Sequence, residues 1–163
     1  MGAISTAGGY ISSTEQIASG VLANGGTYTT LTHTPSAVGA GTWARETNSV
    51  FWGDFCLSNV SGAANGNNCS FTTCLPAGTY KLQLFYGADA YGGILDTYID
   101  GTEVASMDLY LASPGNFWAM KEETGIVVAT GGPKTIKLQL DGKHASSAGY
   151  WARLYAFSFI RTA

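Results

Sequence analysis

Charge is scarce in this sequence. Only 12% of its 163 residues are Asp, Glu, Lys or Arg, about half the usual share. The 11 acidic and 8 basic residues are interspersed, with no basic stripe or polybasic tail. Such a chain has no means of neutralising a phosphate backbone, so no nucleic-acid partner is expected. Long apolar runs are also missing: nothing reaches the 18 or so residues of a membrane-spanning helix, so no membrane partner is expected. The start, Met1-Gly2-Ala3-Ile4-Ser5-Thr6, lacks the basic and apolar regions of a secretory signal. The expectation is a chain complete from its initiator Met.

Cysteine is sparse, and the three residues, Cys56, Cys69 and Cys74, form no four-ligand zinc spacing. His33 and His144 lie far from them, so no metal and no cofactor is expected. Three thiols allow one disulfide and one free cysteine, or three buried thiols. If residues 48–59 and 69–75 pair as a hairpin about Asn65, Cys56 lies opposite Cys74, which makes those two the disulfide candidates. The sequons Asn59-Val60-Ser61 and Asn68-Cys69-Ser70 are expected to be silent without a secretory signal.

Catalytic patterns are missing as well. There is no Gly-x-Ser-x-Gly elbow, no phosphate-cradling glycine loop and no dinucleotide fingerprint. Asp89 and Asp96 flank a short loop, and Glu122 adjoins Glu123. Neighbouring strand residues point to opposite faces, so the two glutamates need not share a site. These carboxylates are expected to be solvated loop and edge charges. No enzyme and no catalytic residue is expected.

What the sequence does have is 22 Gly, 9 Tyr and many Ser, Thr and Ala, which suits short strands joined by glycine turns. Tyr80, Leu82, Leu84 and Tyr86 alternate with Lys81, Gln83 and Phe85, and Ile136, Leu138 and Leu140 alternate with Lys137 and Gln139. Both have the period of two of a half-buried strand. Asp100-Gly101 between two such runs predicts a hairpin, and Asp141-Gly142 is expected to end its strand. In the last strand, Trp151, Arg153, Tyr155, Phe157 and Phe159 are expected on one face, with Leu154, Ala156 and Ile160 on the other. The fold class is all-β: a jelly-roll or β-sandwich of about nine strands. Residues 28–163 form the sandwich. Residues 1–27, poor in apolar positions, form an extended N-terminal arm in which Ser13 to Gln16 could cap one helical turn.

Three stretches resemble galactose-binding-like carbohydrate-binding modules. They are Leu75-Pro76-Ala77-Gly78-Thr79-Tyr80-Lys81-Leu82, the hairpin Tyr98-Ile99-Asp100-Gly101-Thr102-Glu103-Val104, and Gly132-Pro133-Lys134-Thr135-Ile136-Lys137-Leu138. The resemblance implies the sandwich fold. It also implies glycan binding, or a place among the sandwiches of phage tail fibres and capsid decoration proteins. Such modules often carry calcium on acidic residues near the N-terminus, where this sequence has Glu15 alone.

Sugars present apolar ring faces and polar edges, so aromatic side chains beside hydrogen-bonding groups are the pattern to seek. Asp89, Tyr91, Asn116, Trp118 and Trp151, at or near strand ends, are the candidate glycan-binding residues. The main functional expectation is a non-enzymatic virion protein, a phage capsid decoration or cement protein assembled in the host cytoplasm. Its partners would be the major capsid protein or another virion component, and further copies of itself as a homotrimer. The alternative is a glycan-binding head or a free carbohydrate-binding module that meets surface glycans.

Overall fold

The computed structural model describes residues 25–32, 35–47, 55–112 and 117–163. Most of the expected arm, with its proposed helical turn, lies outside the described residues. Eleven strands follow in order: β1 (Thr27–Leu31), β2 (Ala37–Ala40), β3 (Ala44–Thr47), β4 (Phe55–Asn59), β5 (Asn68–Leu75), β6 (Gly78–Ala88), β7 (Gly93–Ile99), β8 (Thr102–Asp108), β9 (Phe117–Val128), β10 (Gly132–Lys143) and β11 (Ala152–Arg161). Among the described residues there is no helix.

The strands form two antiparallel sheets. One has six strands in the order β3-β4-β11-β6-β9, with β1 continuing the flank of β11 beyond β4; the other has five in the order β2-β5-β10-β7-β8. Their inner faces meet in one core, as in a β-sandwich. The alternation expected in β6 is present: Tyr80, Leu82, Leu84 and Tyr86 are buried, while Lys81, Gln83 and Phe85 face outward half-buried. In β10, Ile136, Leu138 and Leu140 are buried. Aromatic rings close the space between the sheets. Phe71 of β5 meets Phe157 of β11 edge-on at 5.3 Å, and Phe159 meets Tyr80 at 6.2 Å.

The Asp100-Gly101 hairpin forms between β7 and β8, with Ile99 opposite Thr102. Asp100 and Gly101 have φ of 49° and 86°, the two positive values that a twist-matched two-residue turn requires. Asp100 adds its own restraint, accepting from the Thr135 amide at 2.9 Å and from Lys134 Nζ at 2.8 Å.

Three expectations are corrected. First, β11 does not keep one alternation. Leu154 pairs with Tyr86 and Ala156 with Phe85, so Tyr155 is an extra, bulged residue. Before the bulge the even residue Leu154 is in the core; after it the odd residues Phe157 and Phe159 are. Second, Asp141-Gly142 does not end β10, which runs on to Lys143 through an irregularity after Leu140. Third, β4 and β5 do not pair as a hairpin: they lie in different sheets, and Cys74 stands opposite Pro133. The Cys74 thiol is free and buried, and the Cys56 side chain lies outside what is described.

Candidate functional site

The outward positions of the six-stranded sheet carry an aromatic surface that β6, β9 and β11 build together. Phe85 of β6 stands opposite Met120 of β9, and Gly87 opposite Trp118. Gly87 has no side chain to fill the space between Phe85 and the strand end. The bulge turns Tyr155 outward, where its ring meets Trp118 edge-on at 5.4 Å and 64°. A cleft of about 230 Å³ results, lined by Phe85, Trp118, Ala119 and Tyr155. Met120, 47% exposed, lies beside it.

Past the cleft, toward the loop end of the sandwich, lies an ion network. Arg153 Nη1 donates to Asp89 Oδ2 and Nε to Glu46 Oε2 at 3.3 Å. The guanidinium also lies 4.9 Å from the centre of the Trp151 ring, a cation–π contact. Arg153 and Asp89 are both buried, so their charges have lost most of their hydration and depend on one another. Asp89 Oδ1 accepts from the Tyr91 amide at 2.8 Å, which sets the turn that carries Tyr91. The Tyr91 ring stacks on Trp151 at 4.2 Å and 18°. Two backbone bonds hold that pair: Trp151 N to Tyr91 O at 2.8 Å and Gly93 N to Trp151 O at 3.0 Å. Gly92 allows the close approach, since a Cβ there would collide with the Leu109 carbonyl.

Four of the five sequence candidates thus fall at one end of a single face. Asp89, Tyr91 and Trp151 are brought into contact, and Trp118 lies in the adjoining cleft. Asn116 lies outside the described residues. Asp89 and Asp96, expected as solvated loop charges, are instead both buried; Asp89 has its two oxygens engaged by Arg153 and the Tyr91 amide, and so shapes the loop. Sequence reasoning missed Phe85 and Tyr155, which look like ordinary strand interior until the bulge and Gly87 are seen. It also missed the polar rung beside them. Gln83 Nε2 donates to Glu122 Oε1, and Lys81 Nζ lies 3.0 Å from the same oxygen. These two donors hold the Glu122 carboxyl below the usual glutamate range. The signal was available, because Lys81, Gln83 and Phe85 are the outward set of one alternating strand.

No protein-family model matches the chain, and no curated protein matches it. Solved structures do. A carbohydrate-binding module of family 36 in complex with calcium and xylotriose is 18% identical over 81% of this chain and 98% of its own, with a TM-score of 0.62. A family 6 module from Clostridium cellulolyticum in complex with xylose is 19% identical over 81% and 95%, also at 0.62. A xanthan lyase from Paenibacillus is 24% identical over 78% of this chain, which spans 12% of that enzyme, at 0.62. The fold is therefore the β-sandwich found in carbohydrate-binding modules. Calcium is named with one of these structures, but among the described residues no group of three or more His, Cys, Asp or Glu could hold a metal ion.

Proposed function

We propose that this domain binds a glycan on the outer face of the six-stranded sheet. The observation that carries the reading is the open aromatic cleft of Phe85, Trp118 and Tyr155 beside the Lys81–Glu122–Gln83 row. Aromatic planes can take the apolar face of a pyranose, and the charged row can take its hydroxyls. The similar structures described with xylose and xylotriose support the choice of ligand class. They also move glycan recognition ahead of capsid decoration.

The test is calorimetric titration with xylose, xylotriose, glucose and cellotriose, followed by a wider glycan array. A Trp118→Ala variant that keeps its circular dichroism spectrum should lose binding at least tenfold. No binding to any sugar at millimolar concentration would defeat the reading, as would undiminished binding by both Trp118→Ala and Tyr155→Ala. Recovery of the protein on purified virus particles in hundreds of copies would restore the decoration reading.

A further inference from the structure

One rung of the six-stranded sheet, next to the aromatic cleft, is polar across four strands. Thr29 of β1 pairs with Ser158 of β11, Ser158 with Gln83 of β6, and Gln83 with Glu122 of β9. The pairing is also made through side chains. Thr29 and Ser158 share a hydroxyl hydrogen bond of 2.9 Å, and Gln83 donates to Glu122. Both donors to Glu122, Gln83 Nε2 and Lys81 Nζ, converge on Oε1. Among the described residues none bonds Glu122 Oε2, so on this exposed residue it is open to a ligand hydroxyl.

The spacing gives this rung a meaning. Gln83 and Glu122 are each two residues from Phe85 and Met120 on the same face, a distance of about 7 Å along the strands. The repeat of a linked pyranose is somewhat shorter than this. The neighbour of a sugar stacked in the cleft therefore lies between the aromatics and the rung, where the Gln83 and Glu122 side chains can reach its hydroxyls. Lys81 already compensates one carboxylate charge, so the row offers hydrogen bonds and no uncompensated cation for an acidic sugar.

Building on the glycan reading above, we propose that the Gln83–Glu122 pair of this rung, beside the buried Ser158, is a second sugar subsite. The face would then take a neutral chain of two or more pyranoses lying along β6, one unit on the aromatics and the next within reach of the rung. Glu122 is the specificity-determining acceptor, fixed in place by Gln83 and Lys81.

The experiment compares monosaccharide with trisaccharide affinity, using the xylose–xylotriose and glucose–cellotriose pairs. It is run on the wild-type chain and on Glu122→Gln, Gln83→Ala and Trp118→Ala. The wild type should prefer a trisaccharide by roughly tenfold or more, the scale of a hydrogen bond to a charged group. Glu122→Gln and Gln83→Ala should lower trisaccharide affinity more than monosaccharide affinity and so erase most of that preference. Trp118→Ala should weaken both ligands. The preference should also persist to a lower pH than an unperturbed glutamate would allow, because the Gln83 and Lys81 donors lower the Glu122 carboxyl below its ordinary value. Preference unchanged in both rung variants, with Trp118→Ala still impaired, overturns the subsite and leaves the glycan reading intact. Wild-type behaviour by Trp118→Ala, or no binding to either pair, overturns both. Tighter binding of trigalacturonate than of xylotriose overturns the neutral-chain assignment.

Discussion

The two outer faces of this sandwich are built by the same alternation and have opposite characters. On the five-stranded sheet the outward positions include Ser70 and Thr72 of β5, Thr135, Lys137 and Gln139 of β10, Ile94, Asp96 and Tyr98 of β7, and Ser106 and Asp108 of β8. The one aromatic ring among them, Tyr98, has Lys137 Nζ 3.9 Å above its centroid, and Lys137 also bonds Gln139 at 2.8 Å. This is how a solvated sheet face ordinarily looks. On the six-stranded sheet, Phe85, Trp118, Met120 and Tyr155 occupy equivalent outward positions. Aromatic and apolar side chains gathered at outward positions gain nothing for the core, so their clustering points to a ligand. The difference teaches where to look in such a fold: the informative face is the one that breaks the expected polarity.

The largest expected difference between the two regions lies at their ion pairs. Asp89→Ala leaves Arg153 buried with Glu46 as a remaining carboxylate partner, and should destabilise the fold by ~3 kcal/mol. Asp100→Asn, which weakens the exposed Lys134 pair on the other sheet's hairpin but keeps a residue suited to positive φ, should cost less than ~1 kcal/mol. Urea denaturation of both variants checks this; equal losses would remove the distinction between the two regions. Next in size is recognition. Tyr155→Ala should weaken sugar binding by about tenfold, or ~1.4 kcal/mol, whereas Tyr98→Ala should leave it unchanged in the same titration.

A smaller effect is expected from Asp96, which faces outward yet is only 4% exposed. Among the described residues its Oδ1 has no hydrogen-bond partner. Burial pushes its carboxyl above the usual aspartate range; the Ser106 hydroxyl opposes this, and Glu103 and Asp141 add to it. A raised folded-state value means the contribution to stability is full at acid pH and is lost as pH rises through that value. Asp96→Asn should therefore stabilise the protein at pH 7 by roughly 1 kcal/mol and flatten this part of the pH dependence. Denaturation curves at pH 4 and pH 8 would show it. The smallest expected effect is chemical. Burial pushes the Cys69 thiol up to about 12, so iodoacetamide at pH 8 should leave Cys69 unmodified until the chain is unfolded. Rapid labelling of the native protein, located by peptide mass analysis, would contradict this.

The sandwich was legible wherever a strand is buried on one side only. Tyr80 to Tyr86 and Ile136 to Leu140 show their faces directly, and Asp100-Gly101 shows its turn. β2 was not legible because all four of its residues are exposed and impose no apolar period. The assignment of β4 and β5 to different sheets was hidden for another reason. Strands adjacent in sequence usually pair, and nothing in the Ser61 to Asn67 loop announces a crossing between sheets. That loop is held by side-chain bonds, such as Asn59 Nδ2 to Asn67 Oδ1 at 3.0 Å, which a linear pattern cannot show. At the site, Trp118, Tyr91 and Trp151 were found because they flank strand ends. Phe85 and Tyr155 were missed because their exposure depends on a cross-strand glycine and on the bulge.

The bulge at Tyr155 also decides what kinds of sequence change this strand can survive. Substitution there alters one ring on the aromatic outer surface. Deletion of that one residue would instead close the bulge: Leu154 would stay opposite Tyr86 and Ala156 opposite Phe85, now as neighbours in an unbroken alternation. Leu154, Phe157 and Phe159 would keep their places in the core, and the outer face would lose the ring that meets Trp118. A family of such sandwiches could therefore gain or lose this one residue without disturbing the core. A deletion at Leu154 or Phe157 would take a buried side chain with it.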